Sequence, residues 1–249
     1  MKRSRLRRVA QDDAPRPSRA ARPPNVVRTA AGLAYARLRA DILQGTLAPD
    51  EKLRVNDVSE RYRCGPIPVR EALNRLAAEG LVAYSEQRGF AVAPIGRADL
   101  IDLTRARSLL VEVAMREAVL HGDAAWEERV LVSYHRLSKV PRYLSLDAPT
   151  PNPAYDPPHR EFHSALLSGC GSQWLVSLCE RLFDHMERYR NLSRRIAVVP
   201  REDEHKEIVD AALARRLDET VALSKRHVEL TATIILERAS SDAKAVGSE

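Results

Sequence analysis

The chain of 249 residues holds only three cysteines, Cys64, Cys170 and Cys179, an odd number with no paired spacing. That argues against a disulfide framework and for a reducing compartment. No apolar run approaches the roughly 20 residues needed to span a bilayer. The arginine-rich N-terminus also lacks the apolar segment of a signal peptide. A cytoplasmic protein with no membrane partner is expected. There is no Gly-rich phosphate loop, no nucleophile motif and no general base placed beside the histidines, so an enzyme is not expected. The run His159-Arg160-Glu161-Phe162-His163 puts two histidines one helical turn apart, yet it is not the zinc-protease motif, in which Glu directly follows the first His.

What is present suffices for a core: 44% of residues are hydrophobic and 30% charged, enough for one large or two modest domains. The net charge of +6 is concentrated at one end. Residues 1–28 carry nine Lys or Arg against Asp12 and Asp13, which leaves 31 basic and 32 acidic residues elsewhere. This segment mixes Arg, Pro and Ala without periodicity and is expected to be a disordered basic tail. It can bind phosphates or acidic headgroups, or act simply as a solubilising extension.

Leu33, Leu38 and Ile42 then recur at near-helical spacing before Gly45, and Val55–Arg63 reads as a second short helix. Pro68–Glu79 reads as a third, with Val69, Leu73 and Leu76 on one face, Pro68 in the first turn and Gly80 as its stop. Leu81–Tyr84 and Phe90–Ala93 read as strands joined through Gln87-Arg88-Gly89. Three helices followed by a hairpin describe a winged helix over residues 29–95. Beyond it almost everything has a helical period: Asp99–His121, Ala125–Lys139, Pro158–Ser168, Ser172–Ile196, Arg201–Arg215 and Leu217–Ala239. The exception is Pro141–Pro158, whose six prolines predict a long, mobile loop.

The stretch from Ala34 to Ile95 resembles the N-terminal winged helix of the GntR family of bacterial transcription regulators. Its landmarks are Leu38-Arg39, Ile42, Gly45, Leu47-Ala48-Pro49, Pro68-Val69-Arg70-Glu71-Ala72-Leu73, Arg75-Leu76, Glu79-Gly80-Leu81-Val82 and Gly89. The resemblance implies a double-stranded operator as partner. Arg70 would read a base or clamp a phosphate, since an arginine offers two donors to guanine O6 and N7. Arg75 and Arg88 would contact backbone or minor groove, Arg75 having an intrahelical ion pair with Glu71 or Glu79 as its alternative. Arg39, Arg54, Ile67, Pro68, Asn74 and Gly89 complete the expected DNA-binding set. Before Pro68, Gly65-Pro66-Ile67 replaces the family's usual hydroxyl residue, arginine and threonine. The usual helix cap is lost with them, so the operator sequence does not carry over.

The second half, residues 98–240, resembles the FCD effector domain of the FadR-like branch of that family. The pattern is carried by Arg107 with Ala114 and Ala118, Phe162-His163, Leu166, Cys170, Leu175, Glu204-His205, Ile208, Ala211-Ala212, Asp218 and His227. The resemblance implies an all-α bundle of six or seven helices holding a divalent ion between three histidines and a carboxylate, with a small carboxylate effector completing the coordination. By that carry-over His163, His205 and His227 are ligands. The fourth position is occupied by His159, with Asp156 as the alternative oxygen donor. An imidazole there favours Zn or Ni over Mn or Mg. Val111 replaces the usual acidic residue after Arg107, with Glu112 one step round the helix. His121, His135 and His185 match no ligand position. Arg107, Arg188 and Arg190 are the candidate effector clamps. Arg188 and Arg190 stand two apart and cannot both face inward.

The expected protein is thus mainly α, a homodimeric and metabolite-responsive repressor released by a small carboxylate bound at a metal site. The alternatives are a metal-free bundle serving dimerisation or an organic ligand and, further off, a metalloenzyme.

Overall fold

The computed structural model describes residues 29–145, 150–194 and 204–246. The expected basic tail, residues 1–28, lies outside the described residues. The first helix, α1 (Ala30–Leu43), opens on Thr29, whose hydroxyl accepts from the Gly32 amide at 3.0 Å. It buries Ala34, Leu38 and Ile42. Chain reversal follows at Gly45, where φ is +71° and any Cβ would stand 2.8 Å from the Leu192 side chain. Only glycine combines that backbone with that approach. Next come α2 (Val55–Tyr62) and α3 (Pro66–Ala78). The latter starts two residues earlier than expected, because both Pro66 and Pro68 fit a first turn in which their missing N–H groups cost nothing. Strands β1 (Val82–Ser85) and β2 (Gly89–Val92) pair antiparallel, Val82 against Val92 and Ser85 against Gly89. Leu38, Val69, Leu73, Leu76 and Leu81, all at 1% exposure or less, form the centre of this domain's core.

The bundle consists of α4 (Arg97–His121), α5 (Ala124–Ser138), α6 (Asp156–Leu167), α7 (Gln173–Arg194), α8 (Glu204–Leu213) and α9 (Leu217–Val246). Asp123 caps α5 by accepting from the Trp126 amide at 2.7 Å. Trp126 is fully buried and its indole donates to Leu166 O at 3.0 Å, tying α5 to α6. Helix α4 packs on α7 and α9, α5 on α6, and α8 on α9.

The proline-rich stretch is more ordered than expected. β3 (Tyr143–Ser145) pairs with β4 (Thr150–Pro151), and a short 3-10 turn, Pro153–Tyr155, runs straight into α6. Pro157 and Pro158 occupy the first turn of α6, so helix and prolines are compatible. Asp156 is therefore the first residue of the helix and not outside it. No helix among the described residues is long and apolar enough to cross a membrane.

Helix α7 joins the two halves. Asn191 Nδ2 donates to Leu43 O at 2.9 Å, His185 Nε2 to Glu79 O at 3.0 Å and Arg188 Nη2 to Ala93 O at 2.5 Å. The Tyr189 hydroxyl accepts from Gly96 N at 3.0 Å and donates to Asp99.

Candidate metal centre and nucleic-acid interface

On α6, His159 and His163 stand one turn apart and share a face; α8 contributes His205 and α9 contributes His227. Their candidate donor atoms all lie within 4.8 Å of one another. The two imidazoles of α6 approach to 3.1 Å between Nε2 atoms, and the rings of His205 and His227 are 4.8 Å apart. First-row ions bind imidazole nitrogen at about 2.1 Å, so an ion shared by all four would need these donors to draw closer and Arg190, whose Nη1 lies 2.6 and 3.2 Å from the two nitrogens of His159, to give way. Asp156 stands outside the cluster, where its carboxylate accepts from Arg190 Nη2 at 3.0 Å.

Three properties of the cluster fit a metal. Burial holds His159, His163 and His205 well below the usual imidazole pKa, assisted by mutual repulsion and by Arg190, so they stay neutral at neutral pH, with the Nδ1 lone pair of His159 accepting from Arg190. His205 Nε2 is buried with no hydrogen-bond partner, an expensive arrangement that a bound ion relieves. Glu204 Oε2 accepts from His227 Nδ1 at 2.6 Å, which directs the Nε2 lone pair of His227 away from the carboxylate. Glu204 escaped the sequence reading, although it stands beside His205. Its partner lies on another helix, 23 residues on, where periodicity within one helix cannot point.

The cluster borders a buried cavity of about 30 Å³ lined by His163, His227, Arg107, Arg160, Phe183 and Val111 among others. Of the three expected effector arginines, only Arg107 lines it. Its guanidinium stands 5.1 Å from the Phe183 ring centre, and burial lowers its pKa to about 10. Arg188 does not belong to this site: it points to the opposite side of α7 and holds Ala93 O, which corrects the expectation. Arg190 packs on His159, with Nη1 at 2.6 Å from Nδ1, and is paired with Asp156 and Glu187. It supports the cluster from behind and does not line the cavity. Glu112 turns toward α9, accepting from Lys225 at 2.6 Å. Arg160, between the two histidines of α6, was missed because its own spacing carried no signal.

In the winged helix, Ile67, Arg70, Glu71 and Asn74 form the exposed face of α3, with Ile67 80% exposed. No side chain caps the helix, consistent with Gly65 at that position, and its N-terminus is open. Arg88 is exposed at the wing tip, Gly89 follows it at φ +72°, and Arg54 is exposed ahead of α2. Two of the expected residues are employed elsewhere. The Arg75 guanidinium covers the Tyr35 ring at 3.9 Å, and Tyr35 in turn donates to Glu79 at 2.8 Å. Arg39 faces α7, paired with Asp184 and 4.0 Å from Glu79. Both sit on the side of the domain that meets its own neighbours, which corrects their assignment as DNA contacts.

Comparisons with known proteins match two family models to the chain. Residues 31–92 match the family "Bacterial regulatory proteins, gntR family", and residues 102–230 match the FCD domain. The chain is 38% identical over 211 residues to the uncharacterized HTH-type transcriptional regulator BphR of Paraburkholderia xenovorans, covering 84% of this chain and 86% of that one. It is 36% identical to the HTH-type transcriptional repressor GlaR of Escherichia coli, covering 82% and 94% respectively. The solved structure of E. coli McbR/YncC shares the fold, with a TM-score of 0.69 at 17% identity over 85% of this chain and 99% of that one. With its winged helix followed by an FCD bundle, the chain belongs to the GntR family and is a DNA-binding transcription regulator, not an enzyme.

Proposed function

We propose that the protein is a homodimeric repressor, released from its operator when a small carboxylate binds beside a Zn or Ni ion in the bundle. The observation carrying this reading is the gathering of four imidazoles from three helices at the edge of a cavity that also contains the buried cation of Arg107. His159, His163, His205 and His227 would hold the ion, which when bound supplies positive charge for a carboxylate. Arg107 supplies a second charge, fixed in a water-poor setting where charge-assisted bonds are strong. Glu204 orients His227, and Arg190, anchored by Asp156 and Glu187, fixes His159.

The exposed face of α3 enters the major groove. Arg70 and Asn74 reach base edges, Ile67 and Pro68 set the approach, and Arg54, Arg88 and Gly89 contact the backbone or minor groove. The units are residues 29–95 for DNA and 98–240 for effector and dimer, with residues 1–28 adding salt-dependent affinity. Two protomers match the two half-sites of a pseudo-palindrome, and GlaR, a relative matched over 94% of its length, is a repressor. The effector acts to the extent that it binds one arrangement of the two domains better than the other.

The test is elemental analysis of purified protein, followed by a thermal-shift screen of small carboxylates with and without added Zn²⁺ or Ni²⁺. One ion per chain and metal-dependent hits, both lost in His205→Ala, support the reading. Absence of stoichiometric metal, with the ligand response intact in that variant, rejects it in favour of a metal-free sensor.

A further inference from the structure

The cavity, about 30 Å³, has room for only a couple of water molecules. An acid of several carbons enters only if a lining side chain moves. Two lining residues are shared by this cavity and by both of the larger surface grooves beside it, Arg160 and Glu180. Glu180 repels an anion and is engaged by the Ser164 hydroxyl at 2.6 Å. Arg160 is the cation, and it is long and partly exposed, its side chain at 32%. Its guanidinium lies 5.0 Å from the centre of the Phe183 ring, the same ring that Arg107 approaches from within.

Arg160 is not idle in this position. Its Nη2 donates to one oxygen of Asp184, and the other oxygen accepts from Arg39 of the DNA-binding domain. Asp184 is thus shared between the sensor helix α6 and α1, which packs on the recognition helix α3. A guanidinium binds one carboxylate much as it binds another. An incoming acid can therefore take Arg160 from Asp184 at little net cost, leaving Asp184 to Arg39 alone.

We propose that Arg160 is the anion-selecting gate of the sensor cavity, latched by Asp184, and that the claim of Arg39 on the same carboxylate couples the latch to the DNA-binding domain. This rests on the cavity being the effector site. Coupling of this kind is reciprocal: removing Arg39 tightens the latch, just as opening the latch tightens the hold on Arg39.

Cys179 lines the cavity at 3% exposure and reports its opening. The experiment follows alkylation of Cys179 in metal-free full-length protein, by mass spectrometry of its peptide, with neutral iodoacetamide and anionic iodoacetate at one pH. Asp184→Asn is expected to speed both reactions about fivefold, the worth of a strong partly exposed ion pair, while Cys170, buried outside the lining, keeps its rate. Arg160→Gln is expected to speed iodoacetamide but to lower the ratio of iodoacetate to iodoacetamide rates below that of the unaltered protein. Arg39→Gln is expected to slow both. Unaltered Cys179 rates in Asp184→Asn and Arg160→Gln overturn the gate, and an unaltered rate in Arg39→Gln overturns the coupling. If Asp184→Asn speeds Cys170 equally, its fold has loosened, and the rate ratio in Arg160→Gln decides alone. Because the protein carries no metal here, failure of the labelling result and failure of the metal reading are separate outcomes.

Discussion

The winged helix fills its interior with Leu38, Val69, Leu73, Leu76 and Leu81, and no charged side chain of that domain is buried among the described residues. The bundle does the opposite at its centre, where Arg107, His159, Glu187, Glu204, His205 and His227 are all at 9% exposure or less. Apolar burial is sufficient to hold a small domain together, and a buried polar group left without a partner costs about 1–3 kcal/mol. The difference separates a domain whose polar groups lie on its surface from a bundle that gives up stability to keep donors and cations in its interior.

The largest effect should come from cutting the apolar side of this contrast. Leu73→Ala is expected to destabilise the winged helix by about 2–5 kcal/mol. Chemical denaturation followed together with metal content should show DNA binding lost and metal retained, and simultaneous loss of both would erase the distinction. Next in size is the response to acid. Because the folded-state pKa values of His159, His163 and His205 lie below their unfolded value, the unfolded chain takes up protons that the folded chain refuses. Their contribution is complete above about pH 6.5 and falls by up to about 1.4 kcal/mol per histidine for each pH unit below it. Melting of metal-free protein between pH 7.5 and 5.5 tests this, and a bundle that melts at the same temperature throughout contradicts it.

Arg70→Ala tests the surface side. It should weaken operator binding by about 1–3 kcal/mol and leave the melting temperature unchanged. A comparable loss of affinity in Arg75→Ala with intact folding would return Arg75 to the DNA face. The smallest effect has the opposite sign. His205→Leu removes a buried nitrogen without a partner, so the metal-free bundle should gain about 1 kcal/mol while metal binding disappears. A loss of stability there would mean that His205 is a structural residue.

Much of this was legible in the chain. The helical period of Leu38 and Ile42, the Pro68–Leu76 face and the glycine stops at 45 and 80 placed the winged helix to within two residues. The four histidines were found in order because the second half of the chain resembles the FCD domain, whose pattern carries ligand positions at those places. Less legible was the stretch from Pro141 to Pro158, where proline content suggested an irregular loop. There β3 and β4 pair with each other, and two prolines start α6, since proline excludes only helix interiors. Arg39, Arg75 and Arg188 were misplaced for one common reason. Spacing says that a side chain is on a given face, but not what that face meets.

By itself, then, the sequence determined the local elements, the family resemblance of each half, and the identity of the histidines brought to the centre. Periodicity and turn chemistry act within a few residues and are written where they act. The tertiary structure alone decided that His159 and not Asp156 joins the cluster, that Glu204 meets His227 and that Asp184 is shared by two domains. Those outcomes depend on how helices far apart in the chain pack against one another, a choice made by the whole core at once.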